Sequence, residues 1–122
     1  MLIEYNGGNK VCNNHEDVIA TLKMRNKENE NEFWVSIDAK FPCMAILVKN
    51  KISSVTYFPD EESAGFRAIK ATMEDETAYL LIGGHQYEIE SGAIIPFEEV
   101  ISAVLRFYDS HTLPDNLKWD EL

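Results

Sequence analysis

The sequence is poor in positive charge. Of its 122 residues, 11 are Lys or Arg and 21 are Asp or Glu, a formal net charge of −10. A protein that binds nucleic acid directly carries a basic footprint for the phosphates, so this balance argues against that class. Cysteine is scarce as well. Cys12 and Cys43 are the only two, far apart in sequence and without a CxxC companion. That excludes a disulfide scaffold and leaves no zinc or redox spacing. Two half-buried free thiols are expected. Long apolar runs are also missing. The unbroken run at 43–48 is far short of the about 20 residues a membrane-crossing helix needs, so no membrane partner is expected. No basic region followed by an apolar core opens the sequence. No signal peptide is therefore predicted, and the expected location is cytoplasmic.

The negative charge belongs to one half of the chain. Residues 1–58 hold seven acids and seven bases. Residues 59–122 hold 14 acids, with Arg67, Lys70, Arg106 and Lys118 as their only bases, and so carry the whole −10. Such asymmetry has two readings. It keeps a protein soluble, and it creates a field that steers basic partners and speeds their association.

Composition is otherwise that of a globular protein, 45% hydrophobic and 26% charged, and the length suits one domain over residues 1–122. Leu2-Ile3-Glu4-Tyr5 reads as a strand stopped by Asn6-Gly7-Gly8. A helix near 14–25 follows, with Asn13 and Glu16 at capping-box spacing and His15, Val18, Ile19 and Leu22 on one face. Residues 26–31 read as a loop. Phe33, Val35 and Ile37 alternate with Trp34 and Ser36, the period of a strand. The run at 43–48 suits a central strand covered on both faces. Asn50-Lys51 turns into a strand over 52–58, which Pro59 ends. Another strand is expected over 66–72. Gly83-Gly84 joins 78–82 to 86–90 as a hairpin, with Tyr87 and Ile89 inward and Glu88 and Glu90 outward. Phe97, Val100, Ile101, Val104, Leu105 and Tyr108 form an apolar stripe on a second helix over 97–110, with Pro96 in its first turn. Residues 113–122, which include Leu117 and Trp119, are expected to pack back on the body. The predicted fold class is α+β: a mostly antiparallel sheet of about six or seven strands against two main helices.

Catalytic patterns are sparse. His15, His85 and His111 share no helical spacing and have no cysteine pair beside them, so no metal site or cofactor is predicted. Gly7-Gly8-Asn9-Lys10 lacks the spacing of a phosphate loop and reads as a turn. No GxSxG elbow is present, and a Cys12–His15 nucleophile rests on spacing alone. The clusters Asp60-Glu61-Glu62 and Glu74-Asp75-Glu76 fall at expected loop tips, where water screens them; paired catalytic carboxylates need a cleft. Each cluster is either a solvated loop or a contact surface for the Lys and Arg of a partner. Trp34 has the opposite parity to its core-facing neighbours. It is covered by a helix or is an exposed interface anchor; Tyr57 and Tyr79 share that ambiguity.

The stretch Ile95-Pro96-Phe97-Glu98-Glu99-Val100, then Phe107, then Leu113-Pro114-Asp115-Asn116-Leu117-Lys118-Trp119-Asp120, resembles a known C-terminal signature. It is that of the immunity protein 1 family of bacterial polymorphic-toxin and contact-dependent growth inhibition systems. Tyr57-Phe58-Pro59, acids, and then Gly65-Phe66 are similar to a second stretch of that family. The likeness covers roughly the second two-thirds of the chain, and residues 1–40 carry none of its motifs. It departs at Ser110-His111-Thr112, where the family often has a glycine. The resemblance implies an α+β fold, no enzymatic activity, and tight binding, expected as a 1:1 complex, to a co-encoded toxin domain. Toxins of such systems include nucleases and deaminases.

Residues and resemblance lead to one expectation. Toxins that act on polyanions tend to have basic clefts, which an acidic inhibitor complements. The predicted toxin-contact residues are Asp60, Glu61, Glu62, Glu74, Asp75, Glu76, Glu88, Glu90 and Trp34. Pro96, Phe107, Pro114 and Trp119 are predicted to be structural, holding the tail on the fold. The alternatives are an inhibitor that mimics nucleic acid, a small enzyme with an unrecognised site, and a non-catalytic binding or scaffold domain.

Overall fold

The computed structural model describes residues 1–70, 77–82 and 84–122. In chain order these form β1 (Leu2–Tyr5), β2 (Gly8–Val11), α1 (His15–Leu22), β3 (Glu30–Ser36), β4 (Cys43–Lys49), β5 (Ile52–Phe58) and β6 (Phe66–Ile69). There follow β7 (Thr77–Ile82), β8 (His85–Glu90), a 3-10 turn (Ser91–Ala93), α2 (Phe97–Ser110) and β9 (Lys118–Glu121). Seven strands make one sheet in the order β2-β1-β3-β4-β5-β6-β9, and β7 and β8 pair separately. Every pairing is antiparallel. The fold is α+β, as expected.

Pleating sends alternate residues to opposite faces of the sheet. The register sets Ile3, Val35, Met44, Tyr57 and Phe66 in one row across five strands. Both helices cover this face. Val18 and Leu22 of α1, and Val100, Ala103, Val104 and Phe107 of α2, share one core cluster with that row and are 0% exposed. The recurrence at i, i+3, i+4 and i+7 along α2 is what puts its buried residues on one side. In the central strand β4, Met44, Ile46 and Val48 are buried while Ala45 and Leu47 are half-buried. The second face is thus only partly covered, which corrects the expectation of a strand enclosed on both sides.

Four local expectations are also corrected. First, α1 is shorter than 14–25, and its N-cap is Asn14, not Asn13. Asn14 Oδ1 accepts the Asp17 N–H at 2.8 Å, while Asp17 Oδ2 accepts the Asn13 N–H at 3.3 Å. The cap is therefore shifted by one residue from the Asn13–Glu16 reading, and the return bond from Asp17 goes to the residue before the cap. At the other end the Arg25 guanidinium donates to the carbonyls of Leu22 and Met24 at 2.6 and 2.8 Å and lies 4.5 Å from the Phe97 ring centroid. Burial there lowers the Arg25 pKa. This side chain takes up terminal carbonyls that another helical turn would have used.

Second, β3 starts at Glu30, inside the expected loop. Asn31 is buried, donates to the Met24 carbonyl at 2.9 Å and accepts the Asn6 N–H at 3.2 Å. Glu30 pairs with Lys49 at 3.3 Å. These bonds let polar residues occupy the start of a central strand. Third, both cysteines are free and buried, not half-buried. Cys12 Sγ lies 3.6 Å from Thr21 Oγ1, and burial raises the Cys43 pKa against the opposing effect of Lys40. Fourth, Pro96 is the N-cap of α2 and not a residue of its first turn; its carbonyl accepts from Glu99 and Val100 at 2.9 and 3.2 Å.

The β7–β8 hairpin lies on the second face, at the end where β4 finishes and β5 begins. Ile89 is buried there against Leu47 and Ile52, and the Tyr87 hydroxyl donates to Glu32 Oε2 at 3.0 Å. Glu88 and Glu90 are exposed, on the outward parity predicted. Burial, the bond to Glu32 and the charge of Glu32 all raise the Tyr87 pKa. A raised pKa means that this contact stabilises the fold below the ordinary tyrosine pKa of about 10 and is lost as pH rises through the folded value. Tyr87→Phe is expected to remove an alkaline step from the pH dependence of the hairpin's NMR signals. An alkaline step of unchanged size would contradict the contact. Tyr57, also raised by burial, sits on the helix-covered face and serves as the comparison.

Candidate functional site

Antiparallel register brings several loops to one end of the sheet. Ser36 pairs with Cys43, Cys43 with Phe58, and Phe66 with Glu121. The segments 37–42, 59–65 and 120–122 therefore share this end. Asp38, Asp60, Glu61, Glu62, Asp120 and Glu121 are all exposed there.

Asp60 builds the loop that carries its neighbours. Its Oδ1 accepts the N–H groups of Glu62 and Ser63, both at 2.9 Å. Glu61 and Glu62 are left as the outward carboxylates of this cluster. The loop returns through Gly65 at φ +99°, where an added Cβ would lie 2.9 Å from Phe58 and 3.0 Å from Thr56. The left-handed backbone and the crowding act together. Gly65→Ala is expected to cost about 2 kcal/mol in chemical denaturation; an unchanged midpoint would contradict this packing.

The other predicted contact residues fall elsewhere. Glu88 and Glu90 lie on the outer side of the hairpin, toward the opposite end of β4 and β5, so the structure does not gather them with Asp60–Glu62. Glu74, Asp75 and Glu76 lie outside the described residues, as do the Tyr79 side chain and residues 71–72 of the expected strand over 66–72.

Trp34 is 43% exposed and sits on the face opposite the helices. Of its two readings, cover by a helix is the one overturned. Its indole stacks on Phe58 with centroids 5.9 Å apart and planes at 23°, and its Nε1 donates to Glu32 at 3.3 Å. Glu4 is its cross-strand neighbour. Leu2, Glu4, Trp34, Asp38, Lys40 and Phe41 help enclose a groove of about 560 Å³. Sequence reasoning missed Glu4, Asp38 and Phe58 as parts of this surface. The parity of Trp34 was the available signal, but the pairing of β1 with β3 was not legible. Tyr57, in contrast, is a core residue.

The tail is tied down by a ring cluster. Tyr57 lies 5.9 Å from Phe107, 6.4 Å from Trp119 and 6.5 Å from Phe66 between centroids. Trp119 Nε1 donates to the carbonyl of Pro114 at 2.7 Å, and the Leu122 N–H donates to Gly65 at 2.9 Å. His111 closes α2 in the left-handed conformation, φ 61°, without the glycine common at that point of the signature.

Among the described residues, no group of three His, Cys, Asp or Glu side chains could hold a metal ion, and no helix is long and apolar enough to cross a membrane. His15 Nε2 contacts Asp109 Oδ1 at 2.8 Å, and its ring meets Tyr108 edge-on. The histidine is thus engaged between the helices, while the Cys12 thiol faces Thr21.

The model of the family described as Immunity protein Imm1 matches residues 10–121. That span reaches well into the N-terminal part, beyond the stretches that carried the resemblance by motif. No curated protein matches the chain. Both helices and every strand from β3 onward fall inside the family match, and the chain belongs to the Imm1 family of immunity proteins, whose role is toxin immunity.

Proposed function

We propose that the chain acts in the cytoplasm as a single, non-catalytic domain that binds one cognate toxin domain and neutralises it. The toxin in this reading is a basic nuclease or deaminase. Asp60, Glu61, Glu62, Glu74, Asp75, Glu76, Glu88, Glu90 and Trp34 supply the contact surface. Pro96, Phe107, Pro114 and Trp119 hold the scaffold and its tail.

Family membership over residues 10–121 is the observation that carries this reading. The confinement of the −10 to residues 59–122 supports the acidic character of the surface. Exposed carboxylates of one sign attract a basic cleft over several ångströms and align it before contact. Co-expression with the toxin domain encoded beside it tests the reading. Restored growth and a 1:1 complex in native mass spectrometry are expected. A toxin that remains lethal beside the folded chain would contradict it.

A further inference from the structure

Among the described residues, the hairpin covers one end of the second sheet face and leaves the other end open. There the groove of about 560 Å³ lies between β1, β3 and the 37–42 segment. Leu2, Phe41 and the Trp34 indole are apolar walls, and Glu4 and Asp38 are its carboxylates. Lys40, the one cation among the described residues that line it, sits 5.8 Å from the Phe41 ring centroid. Glu4 stands directly across from Trp34 in the register, which sets a carboxylate beside an indole. The indole is already held in place by Phe58 and Glu32, so little side-chain freedom remains to be lost on binding.

We propose that this groove receives an arginine side chain from a surface loop of the toxin. The assignment rests on the reading of the chain as a toxin inhibitor and names the chemistry of one contact. A guanidinium is planar, stacks on an indole and can bond a carboxylate through two N–H groups at once. Lysine, a strongly hydrated point charge, gains less from a flat wall. An apolar side chain would desolvate Glu4 and Asp38 without pairing them, and an anionic one would meet two like charges. The exposed acids Asp60, Glu61 and Glu62 at the same end of the sheet attract a basic loop toward the groove.

The test titrates the peptide acetyl-Gly-Arg-Gly-amide into the full, ¹⁵N-labelled chain and follows the two indole N–H signals. Trp119, on the other face, is the internal control. The Trp34 signal is expected to move saturably while that of Trp119 stays. The same peptide with citrulline, which keeps the shape and loses the charge, is expected to bind at least about tenfold more weakly, and the lysine peptide more weakly than arginine. The double variant Glu4→Gln/Asp38→Asn, which leaves the apolar walls and the fold in place, is expected to lose the response. An unmoved Trp34 signal, an equal response to citrulline or lysine, or a full response in the double variant would overturn the assignment. The peptide involves no toxin, so such a failure leaves the proposed function standing; a toxin that stays lethal beside the chain overturns that reading whatever the peptide does.

Discussion

Phe107→Ala lowers the unfolding free energy by about 3–5 kcal/mol. Phe107 is 0% exposed and meets Tyr57 edge-on at 5.9 Å between centroids. Truncation removes apolar contacts and leaves a cavity where α2 crosses β5, and rigid neighbours on a sheet collapse into such a space only in part. Trp119→Ala costs less, about 2–3 kcal/mol, because Trp119 keeps one side toward solvent. Both residues touch Tyr57, so the double variant is expected to depart from the sum of the single ones. Urea denaturation followed by circular dichroism measures all three. A midpoint unmoved by Phe107→Ala would show that α2 and the tail are not packed as described.

Glu61→Lys/Glu62→Lys is the second large effect. Both residues are exposed, and Asp60 is left in place because its carboxylate builds the turn. Reversing two charges at the end that is proposed to meet a basic toxin weakens steering. The association rate is expected to fall about tenfold at low ionic strength, with a smaller change in dissociation, as for charges at the rim of an interface. Stopped-flow mixing with the toxin domain measures it. An unchanged association rate would remove this loop from the contact surface.

How much of this was legible depended on pattern strength. The α2 stripe from Phe97 to Tyr108 was readable because its apolar residues repeat at one helical period, and the span Ile52–Phe58 because it is rich in Val, Thr and Tyr. β2 and β9 were not. Gly8–Val11 is exposed throughout, and Lys118–Glu121 buries one residue only in part. Edge strands of this kind are held by backbone pairing to a neighbour, which leaves no hydrophobic period to read. The start of β3 was hidden for another reason: Glu30 and Asn31 look like loop residues until Lys49, Met24 and Asn6 are seen to satisfy them. At the candidate site, the acids and the parity of Trp34 were visible in sequence. The meeting of Glu4, Trp34 and Phe58 was not, because it depends on which strands pair.

The acidic face proposed for this immunity protein captures a basic toxin by long-range attraction. The most direct measurement is the association rate of the wild-type chain with its toxin domain as salt rises from about 0.02 to 0.5 M, across which the screening length shrinks several-fold. A steep fall, about tenfold or more, is the predicted result. A rate that stays flat across that range would contradict electrostatic capture.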